Sequence, residues 1–384
     1  MTSDETIFIV EDSSATNNRL EIPEYSQYLH PIQRNHSELV KWKAHYPECM
    51  MVIEVLRNMK EGALEMGNKS LKKLTHKDYH VGIICALPVE EAAVEAMLDE
   101  EHASLPRIEH DVNNYTLGRI GAHNVAIACL PAGSTGNGPA AIVANNMQRT
   151  FHIKVGLMVG VGGGVWSKGY DIRLGDVVVS EPNNRHGGVV QWDFGKTETG
   201  GEFQRHGSLN KPPRSLLHAL QSMKTKHMKD GDKLPESLSM MFEKKPHMRE
   251  TFGYQGAELD RLFEAAYDHE GGETCDHCDS SKVVARPGRP DSHPRIYYGN
   301  IASGNEVMKH GVTRDRIAKS EKVICFEMEA AGLMDNFPCL VIRGICDYAD
   351  SYKNKVWQPY AAATAAALAR ELLSFIDRES VLER

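Results

Sequence analysis

The stretch Cys325–Asp350, CFEMEAAGLMDNFPCLVIRGICDYAD, constrains the fold more than any other. Pro338 stops any helix that begins near Glu329, because proline lacks the amide and clashes with the preceding turn. The run after it, Cys339-Leu340-Val341-Ile342, is short, apolar and unbroken by charge, the pattern of a buried strand. Asp347 then falls at or just past the carboxyl end of that strand, the edge where open α/β sheets bind ligands. Taken alone, a blander reading serves better, with Glu327 and Glu329 as a solvated helix start and Asp347 as a helix cap. The rest of the chain reverses that preference.

Val81–Ala86 reads as a core strand, followed by a tight turn at Leu87-Pro88 and a helix from about Glu90. Its early glutamates suit the positive end of a helix dipole. YTLGRIGAHNVAIACLP reads as a hairpin around Gly121-Ala122. PAGSTGNGPAAIVANNMQRT is a glycine-rich turn feeding a helix, and VGLMVGVGGGV is a buried strand ending in Gly160, Gly162, Gly163 and Gly164. Leu174–Pro182 is another strand. Ile296–Lys309 returns to the sheet, and YAAATAAALARELLSFIDRE is a long alanine-rich helix. Strands alternating with helices predict an α/β fold, a mixed central sheet with helices on both faces. Residues 1–75 read as an N-terminal extension, polar and aperiodic at first, then compatible with amphipathic helices. The remaining domain is expected over 76–378, with a helical and loop insertion at about 210–295.

A net charge of -8, with 25% charged residues, lacks the basic footprint of a nucleic-acid binder. No apolar run approaches the roughly 20 residues of a membrane span, and MTSDETIFIVEDSS lacks the layout of a secretory signal. Cys85, Cys129 and Cys339 sit inside apolar runs, which suits a reducing compartment better than a disulfide framework. The expectation is a soluble cytoplasmic protein.

Four segments, in order, are CALPVEEAAV, GLMVGVGGGV, ASGNEVM, and FEMEAAG followed by RGICDYAD. Together they resemble the purine nucleoside phosphorylase/uridine phosphorylase superfamily, with methylthioadenosine/S-adenosylhomocysteine nucleosidase as the nearest well-understood branch. Asp78 to Leu373 is also similar to the nucleoside phosphorylase-like domain at the N-terminus of many fungal immune-receptor-type proteins. There a nucleotide-binding oligomerisation module often follows; none follows here, so a stand-alone or short form is expected. The resemblance implies a twisted mixed sheet partly closed into a barrel and flanked by helices. It also implies a purine nucleoside or nucleotide as small-molecule partner, no cofactor, and a homo-oligomer, dimer or higher.

Cleaving an N-glycosidic bond passes through a ribose cation. It needs an acid on the leaving base, an attacking group on the opposite ring face, and negative charge near the ring. By resemblance, Asp347 is the general acid, its desolvation supplied by the apolar strand before it. Glu329 binds the ribose hydroxyls, Met328 packs on the sugar, and Glu90, at the end of the first strand, activates water. Glu327 faces elsewhere and supports. Gly160, Val161, Gly162 and Gly163 form the loop under the ribose, with backbone amides able to donate. Ser303, Gly304 and Asn305 close over the base. Val307 stands where the nucleosidase branch has a stacking aromatic, so the base is held by Trp192, Phe194 or another ring; Asp193 joins Phe194 as a candidate.

The phosphorylases hold phosphate with arginines and a serine, as a dense anion requires. The corresponding positions here are Met158 and Val161, and Pro88-Val89-Glu90-Glu91 replaces another arginine with acid. Water is therefore the expected nucleophile, giving free base and ribose. Alternatives are a nucleotide-cleaving AMP or ATP nucleosidase, a phosphorylase, and a non-catalytic nucleoside sensor. Arg119, Arg173, Arg185, His186, Lys196 and Arg205, if clustered, would favour a phosphorylated substrate. Cys275 and Cys278, with His269 and His277, supply half of a tetrahedral zinc site or a plain thiol pair; no metal is assigned to the reaction.

Overall fold

A computed structural model of the chain describes residues 74–378, apart from 272–274, 276 and 354. These belong to one unit, Lys73–Arg384. The expected extension over 1–75 lies, but for its last two residues, outside the described residues.

The chain opens with β1 (Val81–Cys85), α1 (Pro88–Ala96), β2 (Glu100–Glu101), β3 (Thr116–Ile120), β4 (His123–Cys129), α2 (Asn137–Thr150) and β5 (Val155–Gly164). It continues through β6 (Val177–Ser180), β7 (Val189–Gln191), β8 (Gly195–Thr197) and β9 (Phe203–Arg205). Three helices follow, α3 (Arg214–Asp230), α4 (Leu234–Lys244) and α5 (Met248–Phe252). The last elements are β10 (Ile296–Ser303), α6 (Gly311–Glu321), β11 (Val323–Glu327), β12 (Leu340–Asp347) and α7 (Gln358–Leu373).

The main sheet runs β11-β10-β6-β12-β5-β1-β4-β3-β2, with β7 beside β10. β11 also pairs antiparallel with the end of β5, Cys325 opposite Gly164 and Phe326 opposite Gly163. That pairing closes β11, β10, β6, β12 and β5 into a barrel, as the resemblance implied. The closure needs glycine: a Cβ on Gly162 would sit 2.7 Å from Cys325 Sγ and 2.9 Å from the Phe326 carbonyl.

β12 is the centre of the sheet, parallel to β5 and antiparallel to β6. Leu340, Val341, Ile342 and Ile345 are wholly buried, each worth about 1.5–3 kcal/mol of hydrophobic stabilisation. One face of the sheet packs on α1, α3, α4 and α7, the other on α2. The alanines of α7 let its backbone lie against β12. At Gly344 a side chain would overlap the Ala361 backbone.

The structure departs from the sequence reading in two places. No α-helix begins at Glu329; there is a single 3₁₀ turn, Ala330–Gly332. Side chains fix this turn: Glu329 N and Ala330 N donate to Glu327, Ala331 N to Ser303 Oγ, and Gly332 N to Asn137 Oδ1. α7 stops at Leu373, short of the expected end. Outside the main sheet, β8 and β9 form a small hairpin of their own. The insertion is helical at its start, through α3, α4 and α5, and loop thereafter.

Candidate active site

A cavity of ≈ 300 Å³ opens where the carboxyl ends of β1, β11 and β12 meet β5. Among its lining residues are Glu90, Glu327, Glu329, Asp347, Phe326 and Val307. A larger cavity, ≈ 760 Å³, lies elsewhere and holds none of those four carboxylates.

Beneath the smaller cavity lies Arg343, with no exposed surface. β12 carries it opposite Gly160 of β5. Gly160 leaves the room it needs, since a methyl there would overlap both the guanidinium and the Glu90 carboxylate. Nη2 of Arg343 donates to Glu327 Oε2 and, at 3.4 Å, to Glu329 Oε2. Nη1 stands 3.9 Å from Glu90 Oε1. Three carboxylates thus share one guanidinium.

Glu90 is the third residue of α1, not the end of the strand. Its Oε2 accepts from Ala86 N at 2.7 Å and Leu87 N at 3.0 Å, and its Oε1 from Val161 N at 2.7 Å. The helix start therefore bends back on its own carboxylate. A carboxylate has about four acceptor positions, so one remains for a group in the cavity. Burial pushes the Glu90 carboxyl up, against Arg343 and the three amides, which pull it down.

Glu329 accepts from Gly136 N at 3.2 Å as well as from Arg343. Burial raises its carboxyl to about 7, Arg343 opposing and Glu327 and Glu90 adding to the rise. Burial works against a charged Arg343, but Glu327, Glu329 and Glu90 more than restore it. The rise at Glu329 sets a sign for stability. A folded carboxyl that holds its proton more tightly than an unfolded one adds stability that is complete below pH 4.5 and lost as pH rises through about 7. Stability of Glu329→Gln, which cannot titrate there, should fall less steeply over that window in pH-dependent urea melts; an unchanged slope would remove Glu329 from the titration.

Asp347 ends β12. Its Oδ1 accepts from Lys353 Nζ at 2.6 Å and Ala349 N at 2.8 Å, while Oδ2 has the Cys346 thiol at 3.4 Å. The sequence reading expected apolar isolation at this carboxylate. It has an ion pair instead, because the loop after β12 turns Lys353 back over it. Burial works against the Lys353 ammonium, and Asp347 holds it charged.

The structure brings Glu90, Val161, Gly162, Val307, Glu327, Met328, Glu329 and Asp347 to one cavity. Several other candidates stand apart from it. The Val161 amide is spent on Glu90 rather than open to a ligand. Gly160 and Gly163 lie behind the lining, against Arg343 and Asp347 respectively. Ser303 is wholly buried and holds Ala331 N. Asn305 and Asp193 form a brace: Asp193 accepts from Asn305 N at 2.7 Å, and Asn305 Oδ1 accepts from Asn137 N at 3.1 Å. Phe194 is 58% exposed and outside the lining. Phe326 is the ring in the wall, edge-on to Trp192. Glu327 does not face elsewhere; the turn after β11 keeps it on Arg343 with Glu329.

The six basic residues do not gather at the cavity. Arg119 pairs with Glu100, Arg173 with Asp171 and Lys196 with Glu198, while Arg185, His186 and Arg205 converge on Glu321. Lys309, Lys353 and Lys355 are the cations that line the cavity. Arg343 and Lys353 are the residues that sequence reasoning missed. The signal for Arg343 was a lone charge inside an otherwise apolar strand, a position that demands buried partners.

Residues 80–374 match the phosphorylase superfamily. The chain belongs to that superfamily. A nucleotide-binding leucine-rich repeat (NLR)-like protein of Hyaloscypha variabilis is 47% identical over 310 residues, 80% of this chain but 30% of that protein. The chain thus spans under a third of this relative's length. A 5'-methylthioadenosine/S-adenosylhomocysteine nucleosidase of Mycobacterium bovis is 24% identical over 302 residues, 77% of this chain and 96% of the enzyme. Among solved structures, a putative nucleosidase of the same kind from Borrelia burgdorferi, bound to adenine, superposes with a TM-score of 0.50 at 15% identity. It covers 77% of this chain and all of its own, a likeness of fold. Among the described residues of this superfamily member, no helix is long and apolar enough to cross a membrane.

Proposed function

We propose that this chain is an N-glycosyl hydrolase that cleaves purine nucleosides such as inosine, guanosine or adenosine to free base and ribose, with water as nucleophile. The observation that carries the reading is the buried cluster of Arg343 with Glu90, Glu327 and Glu329 at the cavity floor. A phosphorylase needs cations free to neutralise a phosphate dianion. Here the guanidinium under the cavity is already bracketed by carboxylates and is not free to take a dianion. Ionised carboxylates in the cavity wall favour a ribose cation as it forms.

Each group then has a task. Glu90, with three amides fixing its orientation, takes the proton of the attacking water through its remaining lone pair. Glu329 accepts from the ribose hydroxyls. Asp347 presents Oδ2 to the departing base, and Lys353, 2.6 Å from Oδ1, holds a proton one hydrogen bond away. Phe326 and Val307 supply apolar contact to the base and sugar. The membership in a superfamily with nucleosidase relatives supports the reaction class.

The test is product analysis on purified protein across inosine, guanosine, adenosine, AMP and ATP, with and without phosphate. Free ribose at a rate independent of phosphate is expected. Ribose 1-phosphate, formed only with phosphate, would make it a phosphorylase; saturable binding without base release would make it a sensor. Lys309 and Lys355 at the cavity favour a second reading, in which a nucleotide's phosphates meet those ammonium groups; preferential turnover of AMP or ATP, lost in Lys355→Ala, would establish it. kcat/KM is expected to fall on the acid side of about pH 7 as Glu329 takes up a proton, and the acid limb should move in Glu329→Gln.

A further inference from the structure

Outside the cavity, one cluster joins residues of metal-binding chemistry from two points in the insertion. A ring nitrogen of His269 and the sulfurs of Cys275 and Cys278 all lie within 4.8 Å of one another. Tetrahedral zinc, with zinc–sulfur bonds of about 2.3 Å, sets its ligands about 3.8 Å apart, so closing on an ion asks for shifts of only about 1 Å. Cys278 N donates to the Cys275 carbonyl at 3.2 Å, the turn that brings the two thiols to one side. Both cysteines are free and half-buried. His277, the other histidine near this pair in sequence, is exposed and takes no part in the cluster.

We propose that His269, Cys275 and Cys278 bind one zinc ion, with solvent in the fourth position, and that the ion orders the part of the insertion that packs on the loop after β12, which carries Lys353. The donor set chooses the metal: two thiolates and an imidazole suit zinc, whereas calcium and magnesium take oxygen. The placement gives the ion its role. His269 N donates to Ser351 Oγ at 2.9 Å, Tyr352 Oη donates to the Tyr267 carbonyl at 3.0 Å, and the His269 ring stands edge-on to Tyr352 at 5.4 Å. Tyr352 in turn stacks on Phe263 with ring centroids 4.1 Å apart. Ser351 and Tyr352 directly precede Lys353, the partner of Asp347. An ion at the cluster therefore ties His269, which makes these contacts, to the turn of Cys275 and Cys278, without touching the cavity. It has no part in glycosidic cleavage; its work is to order a loop.

The experiment uses the full chain, purified with zinc supplied and then freed of loosely held metal. Elemental analysis should find about one zinc per chain, lost in Cys275→Ser and in Cys278→Ser and reduced in His269→Ala. Cys129→Ser, a half-buried thiol elsewhere, should keep it. Cobalt in place of zinc should show thiolate-to-metal charge transfer and the visible bands of a tetrahedral site. Chelation should lower the Tm and speed amide exchange over 347–353, and restored zinc should reverse both. Three results would overturn the proposal: metal-free protein with two freely titrating thiols, a Cys275–Cys278 disulfide in protein made under reducing conditions, or zinc retained in both serine variants.

Discussion

Arg343→Met should destabilise the fold by about 3–5 kcal/mol, the usual cost of removing one partner from a buried ionic cluster. Methionine fills much of the arginine's volume, so packing is a minor part of the loss. The major part is charge: Glu90, Glu327 and Glu329 remain in a site with almost no solvent and have lost their cation. The sign with pH follows. Glu90 and Glu329 are already tilted toward their protonated forms by burial, and without Arg343 they tilt further. Protonation removes the buried charge, so the deficit should shrink as pH falls and widen as it rises. Urea denaturation at several pH values reads both quantities. A variant as stable as the parent at neutral pH would mean that the carboxylates do not depend on Arg343.

Glu90→Gln and Asp347→Asn should each lower kcat by about 10²–10⁴-fold, the range carried by one positioned acid or base. The two losses have different companions. Glu90 accepts three backbone amides, and glutamine can accept on only one of its two side-chain atoms. Glu90→Gln should therefore also cost about 1–3 kcal/mol for an amide left unpaired. Asp347→Asn keeps an acceptor for Ala349 N and gives up the charge that faces Lys353. Activity measured beside circular dichroism and Tm separates chemistry from folding. Turnover within about tenfold of the parent in either variant would remove that residue from its role.

Strand order along the chain was legible because each core strand here is a short apolar run with glycine or proline at its end. Val81–Cys85, Val155–Gly164 and Leu340–Asp347 all appear at the positions expected. The carboxylates were legible through the family resemblance, with which their place near strand ends agreed. β1, β5 and β12 run parallel, so their carboxyl ends share one edge. Glu327 was misjudged because it was treated as the immediate neighbour of Glu329. The two are two positions apart, a spacing that extended backbone places on one face, and both reach Arg343. Phe194 was misjudged because an aromatic after a short strand suits a wall and an exposed hairpin equally well; β7 ends at Gln191 before reaching the cavity.

From its residues alone this chain declared a sheet buried on both faces and the edge at which a ligand would meet it; the roles of the acids there came from the family resemblance. Sheet and edge follow from local rules: apolar period, proline and glycine stops, and which end of a strand a residue occupies. Folding decided the partners. Arg343 reads in sequence as one stray charge, and becomes the hub of three carboxylates only when β1, β11 and β12 come together. Lys353 reads as one lysine among many, and meets Asp347 only when the loop folds back. Ion pairs between distant segments depend on distances that no single segment encodes, and so the charge state of the cavity was a property of the tertiary structure.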